Sequence, residues 1–87
     1  MLVFSGDEII KAITPKETLA AVEEAMLLYE TENYLMPPRS HVYHGDNTLL
    51  LMPCFNNDGF STKLVTVFPG NNVKDLPVTT GVVILND

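Results

Sequence analysis

Two cationic side chains are the first candidates for chemistry. Arg39 is the only arginine in the chain and directly follows Met36-Pro37-Pro38. Two prolines stiffen the backbone and reduce the entropy lost when the guanidinium is fixed on a ligand. A guanidinium is the natural planar partner of a carboxylate or phosphate. Lys63 sits inside Ser61-Thr62-Lys63-Leu64-Val65-Thr66-Val67-Phe68, the best strand in the sequence by propensity. Period two puts Ser61, Lys63, Val65 and Val67 on one face and Thr62, Leu64, Thr66 and Phe68 on the other. A lysine among apolar neighbours must snorkel to water, pair with a carboxylate, or line a cleft. Residue type alone leaves two readings open. One is an exposed arginine beside a proline turn and a snorkelling lysine; the other is a pair of cations that grips an anion.

Other groups carry less. His41 and His44 are three apart, which in a strand sends them to opposite faces and makes a poor metal pair. With Asp46 and Cys54 they form a ligand set only on paper, so no metal site is expected. A lone Cys54 cannot make an intrachain disulfide, shows no metal-type spacing, and lacks the local context of a nucleophile. It suits a reducing compartment. The chain has neither a G-x-G-x-x-G fingerprint nor a P-loop. Pro69-Gly70-Asn71-Asn72 reads as a turn whose backbone N–H groups could also cradle an anion.

The elements that position these residues follow from local signals. Ser5-Gly6-Asp7-Glu8 and Thr14-Pro15-Lys16-Glu17 both have capping-box form. They predict a short helix over about residues 6–12 and a longer one from Pro15 to about Glu32, with proline well placed at its first position. Leu19, Val22, Met26 and Tyr29 then fall on one stripe. Glu17, Glu23, Glu24 and Glu30 fall elsewhere and read as a solvated face. Pro37-Pro38 ends helical territory. Strands are expected at Ser40–Tyr43, Thr48–Met52, Phe60–Phe68 and Val78–Leu85, separated by the turn clusters Gly45-Asp46-Asn47, Asn56-Asn57-Asp58-Gly59 and Pro69-Gly70-Asn71-Asn72. Val82-Val83-Ile84-Leu85 is apolar without alternation, which predicts a strand covered on both faces. Two helices cannot supply all that cover, so another subunit or a continuation of the chain is expected to provide it.

Composition bounds the function. The 87 residues carry five Lys+Arg against eleven Asp+Glu, a formal charge of -6, and this argues against nucleic acid, whose phosphates need a cationic surface. The chain is 46% hydrophobic and 18% charged, an ordinary globular balance. No apolar run approaches the roughly 18 residues of a membrane span. The start MLVFSGDEII lacks the basic and long apolar segments of a signal peptide, so a cytoplasmic chain is expected.

Taken in order, Met36-Pro37-Pro38-Arg39, Thr48-Leu49-Leu50-Leu51-Met52-Pro53, Lys63-Leu64-Val65-Thr66-Val67-Phe68-Pro69-Gly70-Asn71, and Leu76-Pro77 followed by Gly81-Val82-Val83-Ile84-Leu85 resemble the N-terminal region of the ornithine cyclodeaminase/mu-crystallin family. The resemblance covers essentially the whole chain. It implies an α+β domain, with two N-terminal helices packed on a mainly antiparallel sheet, that serves substrate binding and dimerisation over residues 1–87. A Rossmann domain that binds NAD or NADP would lie outside these residues. The implied chemistry moves hydride between nicotinamide and the α-carbon of an amino acid or its imine, as in cyclodeaminases (lyases), amino-acid dehydrogenases and ketimine reductases (oxidoreductases).

By the same resemblance Arg39 and Lys63 would hold the substrate carboxylate, and the protein would be a homodimer. The family's next arginine, its glycine-rich turn and its amino-group aspartate have no counterpart here, so no catalytic residue is assigned and these residues alone are expected to be inactive. The Leu-Pro string in relatives continues with a site-facing threonine. Val78 stands at that position, with Thr79 and Thr80 after it as further candidates. Ornithine-type members carry an acid where Leu50 stands, which shifts the expected ligand from ornithine towards a smaller or apolar amino acid. A stand-alone module that binds a small carboxylate or only dimerises, without catalysis, is the alternative from another class.

Overall fold

A computed structural model describes residues 1–87. The chain divides into two units, Met1–Glu32 and Asn33–Asp87. The class is α+β: two helices and a four-stranded, fully antiparallel sheet.

The helical unit holds α1 (Gly6–Ala12) and α2 (Pro15–Thr31). Both open on the capping boxes legible in the sequence. The Ser5 hydroxyl accepts from the Glu8 amide at 3.1 Å while the Glu8 carboxylate accepts from the Ser5 amide at 3.3 Å. Thr14 and Glu17 repeat the exchange at 3.1 Å each way. Two of the orphan donors at each helix start are thus satisfied. Neither helix is long and apolar enough to cross a membrane.

The second unit is a meander of β1 (Ser40–His44), β2 (Asn47–Asn56), β3 (Gly59–Val67) and β4 (Thr79–Asn86), adjacent in chain order. The β1–β2 loop is the two-residue turn Gly45-Asp46. Gly45 has φ 62° at the first central position, where II′ turns take glycine. In the β2–β3 loop the Asn56 side-chain oxygen accepts from the amides of Asp58 (2.9 Å) and Gly59 (3.1 Å). Gly59 has φ 151°, and a Cβ there would run into the Asn86 carbonyl oxygen at the end of β4. Between β3 and β4 the chain forms a short 3-10 helix, Pro69–Lys74, where the sequence predicts a plain turn. The Asn71 side-chain amide donates to the Pro77 carbonyl at 3.1 Å and the Phe68 amide to the Val78 carbonyl at 2.8 Å, so this excursion returns in register.

One strand expectation is corrected. β2 runs through Pro53 to Asn56, four residues beyond its expected end at Met52. Proline normally interrupts a central strand because it has no N–H to donate. Here β1 reaches β2 only as far as Ser40↔Leu51, so at Pro53 nothing in the sheet pairs on that side. Leu35 and Phe55 then resume the pairing with two hydrogen bonds of 2.8 Å. Residues 36–39 match only 52–54 across this gap, so Pro37-Pro38 absorbs one extra residue in the manner of a bulge. β4 is an edge strand with all eight residues exposed in this chain. Its apolar run has a neighbour only on the β3 side, and no residue of the whole chain is buried.

Candidate functional site

The four strands contain no aspartate or glutamate, and Lys63 is their only charged residue. In a chain with eleven acids this is a sharp segregation. All eleven lie in the helical unit, the turns or the last position. The Lys63 side chain has no hydrogen bond and no ion pair within the chain, and neither has that of Arg39. An unneutralised lysine in mid-sheet is not explained by pairing, and its exposed position leaves the ammonium free to meet a ligand.

Register fixes what shares its face. Lys63 is opposite Met52 in β2 and Val83 in β4. Directly opposed residues point to the same side of a sheet. One step towards the 3-10 helix end of β3, the next row on this face is His41, Leu50, Val65 and Gly81. Beyond it come Tyr43, Thr48, Val67 and Thr79. One step the other way are Cys54, Ser61 and Leu85. The opposite face carries Val42, Leu49, Leu51, Pro53, Phe55, Phe60, Leu64, Val82 and Ile84, and is more apolar. Phe55 and Phe60 stack there at 5.0 Å.

Arg39 immediately precedes β1. Arg39 lies between the Leu35–Phe55 bridge and the Ser40–Leu51 pair, outside the paired strand, so the register does not fix its face. Two strand spacings, about 10 Å, separate β1, which Arg39 precedes, from β3, which carries Lys63. Met52, Leu50 and Val65 share the face of Lys63 and give it an apolar surrounding.

The remaining candidates separate. His41 stacks on Tyr43 with ring centroids 6.0 Å apart. His44, opposite Asn47, is on the other face. No three His, Cys, Asp or Glu side chains gather closely enough to hold a metal ion. Thr79 is on the face of Lys63 but two rows away, whereas Thr80 is on the other face, its hydroxyl 2.5 Å from that of Thr66. Cys54 lines a shallow cavity of about 300 Å³ with Asp58, Gly59, Ser61 and Leu85 at the β2–β3 hairpin end, displaced from the cation row. A dinucleotide in the Rossmann manner needs a glycine-rich turn between a strand and a helix. Both helices precede every strand, and the glycines at 6, 45, 59, 70 and 81 do not form that turn, so these residues do not fit the group. Inspection of side-chain types missed two features: the acid-free strands and the row Met52–Lys63–Val83. The first was legible as a count along the strands; the second needed the register.

The profile of the ornithine cyclodeaminase/mu-crystallin family matches residues 2–87. The chain is 33% identical over 85 residues to an alanine dehydrogenase of Archaeoglobus fulgidus, covering 98% of this chain and 26% of that protein. Among solved structures it is similar to an archaeal alanine dehydrogenase dimer with bound NAD (TM-score 0.85, 33% identity, 98% of this chain and 27% of that one). It is also similar to the Δ1-pyrroline-2-carboxylate reductase of Thermococcus litoralis in complex with NADH and L-proline (TM-score 0.86, 30% identity, 100% and 28%). The chain thus spans about a quarter of the length of these relatives. On the family match over residues 2–87, the chain belongs to the ornithine cyclodeaminase/mu-crystallin family.

Proposed function

We propose that residues 1–87 are the N-terminal substrate-binding and dimerisation domain of an NAD(P)-dependent protein that acts on an amino acid or its imine. Arg39 and Lys63 hold the substrate carboxylate. The observation that carries this reading is Lys63 itself, unpaired and alone as a charge in four strands. Relatives that act on alanine or pyrroline-2-carboxylate, both small carboxylates, support it.

In this reading the two cations anchor one end of the ligand and so fix where its α-carbon sits, which turns a free encounter into an oriented one. The ligand's side chain meets Leu50, Val65 and Met52. No acid on the strands is available to pair with a distal ammonium, which favours a small apolar amino acid over a basic one. The dinucleotide, supplied by a domain beyond these residues, brings the hydride chemistry. The exposed apolar run Val82–Leu85 and the free edge of β4 are the surface offered to a second copy, in line with the dimeric relative.

The test is carboxylate binding by the full natural chain, measured by calorimetry with pyruvate. Lys63→Met and Arg39→Met should each weaken binding by about tenfold or more, the size of a lost charge-assisted hydrogen bond. Unchanged affinity in both variants refutes the assignment.

A further inference from the structure

Gly81 is the fifth glycine of the chain and the only one inside a strand body rather than at a loop, cap or strand end. Glycine weakens the middle of a strand, since it loses the most backbone entropy and packs nothing. β4 is otherwise built of strong strand formers, Thr79, Thr80, Val82, Val83 and Ile84. One ordinary reason for glycine fails at this position and a second applies only in part. Its φ is not positive, unlike those of Gly45 and Gly59, so the backbone does not require it. Space is tight but not closed: an added Cβ would lie 3.3 Å from the Leu64 carbonyl oxygen, which would have to give by a few tenths of an ångström, and 3.5 Å from Val65 Cγ2, an ordinary contact.

A missing side chain at this position leaves room on a defined face. Gly81 is opposite Val65, one row from the Lys63–Val83 pair and on the same side of the sheet. The nearness of Val65 Cγ2 to the virtual Cβ confirms the side independently of the register. The gap therefore opens beside the lysine, over Val65, next to Leu50. A glycine within a strand often marks a bulge, a bend, or the close approach of another backbone or of a ligand.

We infer that Gly81 sets the size limit of the ligand's side-chain subsite, with Val65 as its floor. This rests on the reading of Arg39 and Lys63 as carboxylate anchors. A carboxylate held at the cation row sends a short apolar side chain into the notch over Val65. A methyl group at residue 81 would occupy the entrance.

The experiment is a ligand series on the full natural chain, with glycine, L-alanine, L-2-aminobutyrate and L-norvaline, dissociation constants being measured in the presence of NADH. Gly81→Ala should leave the smallest ligand within about twofold and weaken L-norvaline about tenfold more than glycine. Val65→Ala, which deepens the floor, should shift the series about threefold in favour of L-norvaline, and it decides the matter if Gly81→Ala does not fold. A uniform loss across the series in Gly81→Ala, as expected if the glycine only admits a neighbouring element, overturns the inference, and so does an unchanged series in Val65→Ala. Failure of the anchoring itself reads differently: none of the four ligands would bind the unaltered protein, or all would bind regardless of Lys63→Met.

Discussion

Met52 stands directly across from Lys63 in the β2–β3 ladder. The thioether therefore occupies the position where a carboxylate would neutralise the lysine. Met52→Glu should supply the missing partner, since opposed side chains in a ladder have Cβ atoms about 5 Å apart. The fold should survive, because a surface pair of this kind changes stability by at most about 1 kcal/mol. Carboxylate affinity should fall at least about tenfold. Calorimetry with pyruvate, alongside a urea denaturation curve, separates the two effects. Retained affinity would mean that Lys63 is not the anchor.

Thr79 and Thr80 offer a contrast between the two faces. Thr80 shares a hydroxyl hydrogen bond with Thr66 on the side away from Lys63. Thr80→Val should cost about 1 kcal/mol through that lost bond and leave ligand affinity unchanged within about twofold. Thr79, on the cation side, is the one whose replacement has a route to the ligand. A large affinity loss in Thr80→Val with normal stability would put the site on the other face.

Gly59→Ala should be among the most damaging small substitutions. It combines a φ of 151° with a collision at the Asn86 carbonyl oxygen. Strain and displacement of β4 together should cost about 2 kcal/mol or more, read from the midpoint of chemical denaturation. A cost near zero would mean that β4 does not end against this turn.

Thr14→Ala tests the helical unit alone. Removing the hydroxyl that accepts from the Glu17 amide should cost about 1 kcal/mol. Thr14→Ser should recover most of it. Circular dichroism during urea unfolding measures both.

What was legible in the sequence was whatever is decided locally. The capping boxes at Ser5 and Thr14 place both helix starts because they need only residues three apart. Gly45 and Gly59 mark the hairpins because only glycine adopts those φ values easily. Features that depend on partners were harder. Pro53 reads as a strand end until it is seen that β1 stops short of it. The run Val82–Leu85 reads as a strand whose cover comes from another subunit or a continuation of the chain, and within these residues β4 has one neighbour and stays exposed. Lys63 was recognisable by its type and setting. Its common face with Leu50, Val65 and Gly81 comes from register, which depends on turn geometry as much as on pattern.

The most direct measurement is a crystal structure of the full natural chain with NADH and pyruvate. One carboxylate of the ligand should lie about 2.7–3.0 Å from both the Arg39 guanidinium and Lys63 Nζ, with its methyl group over Val65 beside Gly81. A carboxylate bound elsewhere, or Arg39 and Lys63 emerging on opposite faces of the sheet, would contradict the account.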